Sequence, residues 1–185
     1  MRFHFLNSVQ RGGGSPFVFS GSDDNTVRKI DPSDMSEVDV YSKFRDVIAA
    51  TLGSDGFVYV GIGQQFNVRK IDPSDMSEVD RFSGGTDDDV NGVAFGSDGF
   101  VYGAIQDTTV IKIDPSDMSL VDSFTGHTNS VNTVAFGSDG FVYSGSTDST
   151  VRKIDPSDMS EVGIFAEENF VSDIAFGSDG FVYSS

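Results

Sequence analysis

The chain has 185 residues, 29 acidic and 12 basic, giving a formal net charge of −17, and it contains neither cysteine nor tryptophan. Absence of cysteine excludes disulfides, thiolate metal sites and cysteine nucleophiles together. So large an acid excess argues against nucleic acid as a partner, because phosphate backbones are held by clustered Lys and Arg. No apolar run approaches the roughly 20 residues that span a bilayer.

The opening residues, Met1-Arg2-Phe3-His4-Phe5-Leu6-Asn7, lack the long apolar stretch and small-residue cleavage site of a signal peptide, so a soluble, membrane-free protein is expected. Val and Ile number 32, Phe 17, and Leu and Ala together only 10. Branched and aromatic side chains suit a pleated, packed surface, whereas the scarce residues are the better helix formers. An all-β fold follows. The acids are 24 Asp against 5 Glu, a bias that serves turns and also suits a high-salt environment, where screening weakens self-repulsion.

In chain order, the first expected strand is a degraded one near residues 3–10, where Leu6-Asn7-Ser8-Val9 matches Val90-Asn91-Gly92-Val93. A worn copy of Gly-Ser-Asp-Gly-Phe-Val-Tyr then runs from Gly14 to Phe19, and intact copies begin at Gly53, Gly96, Gly137 and Gly177. Between them, Ile-Asp-Pro-Ser-Asp-Met-Ser begins at Ile30, Ile71, Ile113 and Ile154. Phe17, Phe57, Phe100, Phe141 and Phe181 are 40, 43, 41 and 40 residues apart. A period of about 40–45 residues with several strands in each points to a β-propeller, since solenoid repeats of that length are mostly helical.

One period resolves into four strands. Val131–Phe136 is the first, and the Asp-Gly of residues 137–140 turns the chain. Phe141–Ser144 is the second strand and Thr150–Ile154 the third. Asp155-Pro156-Ser157-Asp158 makes the next turn, with Pro fixing φ, and Ser160–Phe165 is the fourth. The Phe-Val-Tyr run is apolar on both faces, so each sheet is covered on both sides, as in blades stacked around an axis. Met35, Met76, Met118 and Met159 recur just after the turn, where they are expected to pack between blades. The repeats run over about 3–45, 46–88, 89–129 and 130–169, with a partial one at 170–185, all in one domain. They predict five blade positions in one ring, and open sheet edges leave either a monomer or a strand-sharing homo-oligomer. Copies this alike point to internal duplication.

Gly126-His127, Val131–Phe136 and Ser144-Gly145-Ser146-Thr147-Asp148-Ser149-Thr150-Val151 together resemble a WD-repeat blade. That family closes its third strand with Trp-Asp, where this chain has Ile154-Asp155. The resemblance implies a side-chain network of His127, Ser144, Asp148 and position 154, and Ile at 154 implies that the network cannot form as the family builds it. The Ile-Asp-Pro-Ser-Asp turn is more similar to quinoprotein-like (PQQ-like) propellers. Both resemblances imply the fold strongly and the function weakly, since propellers host many unrelated roles.

In a four-stranded meander successive turns alternate between the two ends. The uniform Gly-Ser-Asp-Gly and Asp-Pro-Ser-Asp turns therefore share one face of the disc. The connections after strands two and four share the other, and they differ in every copy. Loops on a rigid scaffold are where binding residues collect. The variable face thus supplies the candidates for a protein or glycan partner: Phe44, Arg45, Gln64, Gln65, Phe66, His127, Asn129, Glu168, Asn169 and Phe170. The bland reading is that exposed loops simply drift.

Catalytic residues are not expected. Two histidines cannot make a three-histidine metal site, and no nucleophile elbow or phosphate loop is present. Asp87-Asp88-Asp89 is the best weak candidate for a hard cation, but it lacks the spaced acids and distal Glu of a calcium loop. The alternative is a quinoprotein-type oxidoreductase or a metal-binding propeller. No cofactor is expected, because no Trp exists to stack on a quinone. A binding scaffold is the expected class.

Overall fold

The computed structural model describes residues 17–22, 24–42, 46–63, 67–84, 87–177 and 179–185. Every regular element among them is a β-strand. Three strands form the first sheet: β1 (Val18–Ser22), β2 (Thr26–Asp31) and β3 (Ser36–Tyr41). The next three sheets each have four strands in sequential antiparallel order. They are β4 (Val47–Leu52), β5 (Val58–Ile62), β6 (Asn67–Asp72) and β7 (Ser77–Ser83); β8 (Val90–Phe95), β9 (Val101–Ile105), β10 (Val110–Asp114) and β11 (Ser119–Phe124); and β12 (Val131–Phe136), β13 (Val142–Ser146), β14 (Thr150–Asp155) and β15 (Ser160–Ala166). A last pair, β16 (Ile174–Phe176) and β17 (Val182–Ser184), makes a two-stranded sheet. These are the blades of a propeller. The degraded strand expected near residues 3–10 lies outside the described residues.

Sheet boundaries follow from turn chemistry. Phe141 precedes β13 rather than opening it, because its N–H donates to Asp139 Oδ1 while its carbonyl accepts from Gly137 N at 2.8 Å. Gly140 has φ of 86°, which an Asp-Gly turn supplies without strain. In the second turn, Asp31, Asp72, Asp114 and Asp155 each accept the N–H two residues on at 2.8 Å, the Asx-turn geometry expected of Asp before Pro-Ser. The serine hydroxyl and N–H hold the Asp72, Asp114 and Asp155 carboxyls below the usual carboxylate range.

Consecutive sheets stack through β4, β8, β12 and β16, which therefore lie innermost, while β3, β7, β11 and β15 form the rim. The innermost backbones approach closely. A Cβ on Gly61 would come within 2.8 Å of the Val90 carbonyl oxygen of the next sheet. Apolar faces on both sides of β5 and β9 leave Val58, Tyr59, Val101 and Tyr102 with no exposed surface.

One junction repeats three times. An aromatic–Val–aromatic trio of one sheet receives an Ile and a Met from the next. Phe19, Val27 and Tyr41 take Ile71 and Met76; Tyr59, Val68 and Phe82 take Ile113 and Met118; Tyr102, Val110 and Phe124 take Ile154 and Met159. Three of the four repeat methionines thus pack between blades, whereas Met35 on the first sheet is 72 % exposed.

A lysine ties each junction from the uniform face. Lys29, Lys70 and Lys112 lie 4.0–4.2 Å above the ring centres of Phe17, Phe57 and Phe100. Their Nζ atoms donate to the carbonyls of Pro73, Pro115 and Pro156 in the following sheet at 2.7–2.8 Å. The invariance of these turns therefore has a packing cause: each turn both caps itself and accepts a neighbour's cation.

Candidate functional site

Backbone hydrogen bonds join the two kinds of variable loop at one end of each blade. Gly63 N donates to Asp46 O at 2.8 Å, Gln106 N to Asp89 O at 2.8 Å, and Thr147 N to Ser130 O at 2.9 Å. The loops after strands two and four therefore share a face, as the meander geometry requires. Tyr59, Tyr102 and Tyr143 mark the opposite face, where their hydroxyls donate to Asp55, Asp98 and Asp139 of the uniform turns at 2.6–2.7 Å. Burial, then these neighbouring carboxylates, push the Tyr59 and Tyr102 hydroxyls well above the ordinary tyrosine range.

Of the sequence candidates, Phe44, Arg45, Gln64, Gln65 and Phe66 lie outside the described residues. Asn129, Glu168, Asn169 and Phe170 are exposed on the variable face. The loop after β15 brings three of these together. Glu168, Asn169 and Phe170 line a cavity of about 310 Å³ with Glu167, Val171 and the end of β17 at Ser184 and Ser185. Phe170 is 61 % exposed there. Ser172 N and Oγ both donate to the Ser185 carbonyl, at 2.7 and 2.9 Å, and so fix the cavity wall.

His127 is different and corrects the sequence expectation. It is 3 % exposed, so its ring is not offered to a partner. Its Nδ1 lies 2.9 Å from Asp148 Oδ2 and its Nε2 lies 2.8 Å from Ser144 Oγ. Thr150 Oγ1 donates to Asp148 Oδ1 at 2.6 Å, and Thr128 N donates to Asp148 Oδ2 at 2.9 Å. The ring also meets Phe124 edge-on, with centres 6.0 Å apart. Burial lowers the His127 pKa, against the opposing pull of Asp148. A neutral imidazole then donates from Nδ1 to Asp148 and accepts at Nε2 from the Ser144 hydroxyl. Burial raises the Asp148 carboxyl, but hydrogen bonds from Thr150, Thr128 and His127 outweigh it and hold the pKa at about 2.

Three members of the network implied by the WD resemblance therefore meet. Ile154 takes no part in it; instead it is fully buried in the apolar junction with the preceding sheet. Thr150, which the sequence reading passed over, supplies a hydroxyl to the carboxylate; its place two residues after Asp148 was the signal.

Asp87 is exposed, and Asp89 is fixed through its backbone to Gln106, its carbonyl accepting at 2.8 Å. Among the described residues no group of three or more His, Asp or Glu side chains is placed to hold a metal ion.

Residues 118–155 match the family model for the WD domain, G-beta repeat. The match covers about a fifth of the chain, from Met118 through β14, and includes the His127, Ser144 and Asp148 cluster. No curated protein matches the chain.

Proposed function

We propose that the chain is a non-catalytic binding scaffold that engages a protein partner through its variable-loop face. The similarity of residues 118–155 to a WD repeat supports this class of role. The observation that carries the reading is Phe170, 61 % exposed beside a cavity that it lines with the apolar Val171 and the polar Glu167, Glu168, Asn169, Ser184 and Ser185. An aromatic anchor inside a polar rim is the usual composition of an interface hot spot. Hydrogen bonds from Val171 N to Ser146 O at 2.9 Å and from Ser172 N to Ser185 O at 2.7 Å pre-organise the loop and so lower the ordering cost of binding.

Benzoylphenylalanine placed at position 170 tests this by photo-crosslinking in lysate of the source cells. One dominant protein adduct is expected, and the purified partner should bind the Phe170→Ser variant at least about ten-fold more weakly than the unaltered chain. A partner bound equally well by Phe170→Ser would overturn the reading.

A further inference from the structure

The rim strands β3, β7, β11 and β15 form the outer edges of their sheets, and an open strand edge is a template for pairing with another chain. All four carry a bulge at the same step. The register shifts opposite the Lys-Ile pair, which leaves Val38, Val79, Val121 or Val162 as the extra residue. The first N–H of each strand, at Ser36, Ser77, Ser119 and Ser160, donates to the Asp two residues earlier at 2.9–3.1 Å. Bulge and cap therefore do not tell the four edges apart.

The residue after the bulge does. Asp39, Asp80 and Asp122 each turn Oδ1 onto the next N–H, of Val40, Arg81 and Ser123, at 2.8 Å. These acids stand opposite Lys29, Lys70 and Lys112, and the residue opposite Lys153 in β15 is Gly163. A carboxylate so placed occupies an edge donor and sets negative charge against any carbonyl that approaches, which is one way a sheet refuses edge-to-edge pairing. Glycine offers neither acceptor nor charge.

Ion pairing singles out the same edge. Arg28, Arg69 and Arg152 hold Glu37, Glu78 and Glu161, whereas no ion pair reaches Asp39, Asp80 or Asp122 among the described residues. Two copies meeting at β3, β7 or β11 would set unpaired carboxylates across the new seam, and β15 is the rim strand without one. Ile164, just beyond the bulge and 55 % exposed, supplies a branched side chain for cross-strand contact.

We infer that β15 is a self-association edge, where residues 163–166 pair antiparallel with the same run of a second copy across a two-fold axis. The two four-stranded sheets then become one of eight strands. A two-fold contact needs a surface complementary to itself, and for a chain of net charge −17 that is an edge free of unpaired acid. The inference is independent of the variable-loop reading, since neither Gly163 nor Ile164 lines the cavity beside Phe170.

Sedimentation equilibrium of the full chain in about 0.1 and 1 M sodium chloride tests it. Screening lets two acidic copies meet, so a dimer with a Kd of about 100 µM or tighter is expected in 1 M salt, and one at least about ten-fold weaker in 0.1 M. Gly163→Asp restores the missing carboxylate at a position where a Cβ meets nothing within 4 Å. It should weaken the dimer at least about ten-fold in 1 M salt with circular dichroism unchanged. Gly163→Ala adds the same Cβ without acceptor or charge, and it should weaken the dimer less than about three-fold, as should Phe170→Ser. A chain that stays monomeric at about 100 µM in 1 M salt overturns the inference. So does a dimer that Gly163→Asp leaves intact, or that Gly163→Ala disrupts equally. A dimer lost in Phe170→Ser also overturns it, and moves the contact to the variable face.

Discussion

His127 shows how a single side chain can be placed on the right face and still be unavailable there. Gly126-His127 lies in a variable loop, yet the ring turns inward, where Asp148 and Ser144 satisfy it, with Thr150 Oγ1 3.3 Å from Nδ1, in a site shielded by Phe124. A buried polar group is stable only when its partners are complete. Replacing His127 by Ala should therefore cost about 3 kcal/mol in urea unfolding at pH 7, from the cavity and from the carboxylate and hydroxyl left short of a partner. The same burial sets a pH dependence. The folded His127 pKa lies below the ordinary 6.5, so the unfolded chain binds the proton first, and this contribution is complete above about pH 6.5 and lost as pH falls through the folded value. Asp148, at about 2 against 3.8, adds a second loss as pH falls below 3.8. Melting temperature measured from pH 8 to 5 should decline below pH 6.5 in the unaltered chain and decline less in His127→Ala; parallel curves would refute the assignment.

At the scale of an element, the strand-to-rim turn carries a conformational cost that packing offsets. Met35, Met76, Met118 and Met159 have φ of 60°, 52°, 53° and 52°, a left-handed conformation that L-residues adopt at about 1 kcal/mol or more. In three sheets the methionine is then buried against the preceding trio; Met35 is not. Substitution by glycine separates the two effects. Met76→Gly should destabilise by about 2 kcal/mol, since lost burial exceeds the relieved strain, while Met35→Gly should be neutral or stabilising by about 0.5 kcal/mol. Chemical denaturation of the pair decides it: equal losses would mean that the conformation, and not the junction, governs this residue. Strand positions and the two turn types were legible in the sequence because they depend on local chemistry that repeats four times. The Lys–Pro ties were not, since a lysine in a strand gives no sign of which carbonyl another sheet will bring to it.

Across the whole molecule, 29 acids and 12 bases are spread over a stack about 185 residues long in sequence, and the net charge of −17 repels itself in the folded state. Raising sodium chloride from about 0.1 to 1 M shortens the screening length from about 10 to 3 Å. The melting temperature should rise by roughly 3 °C, the equivalent of about 1 kcal/mol for a chain of this size; a fall would exclude self-repulsion as a governing term. The ion pairs between neighbouring strands, such as Arg28–Glu37 at 2.9 Å, screen in the opposite sense but contribute little when half-exposed.

The sequence by itself determined the all-β class, the four-strand period, the turn residues and the division into a uniform and a variable face, because each rests on spacing and on conformational preferences that a residue carries with it. The inward turn of His127 and the exposure of Phe170 beside Glu168 and Asn169 were decided only by tertiary structure. Burial is set by what a neighbouring element places against a side chain, and no residue carries that with it.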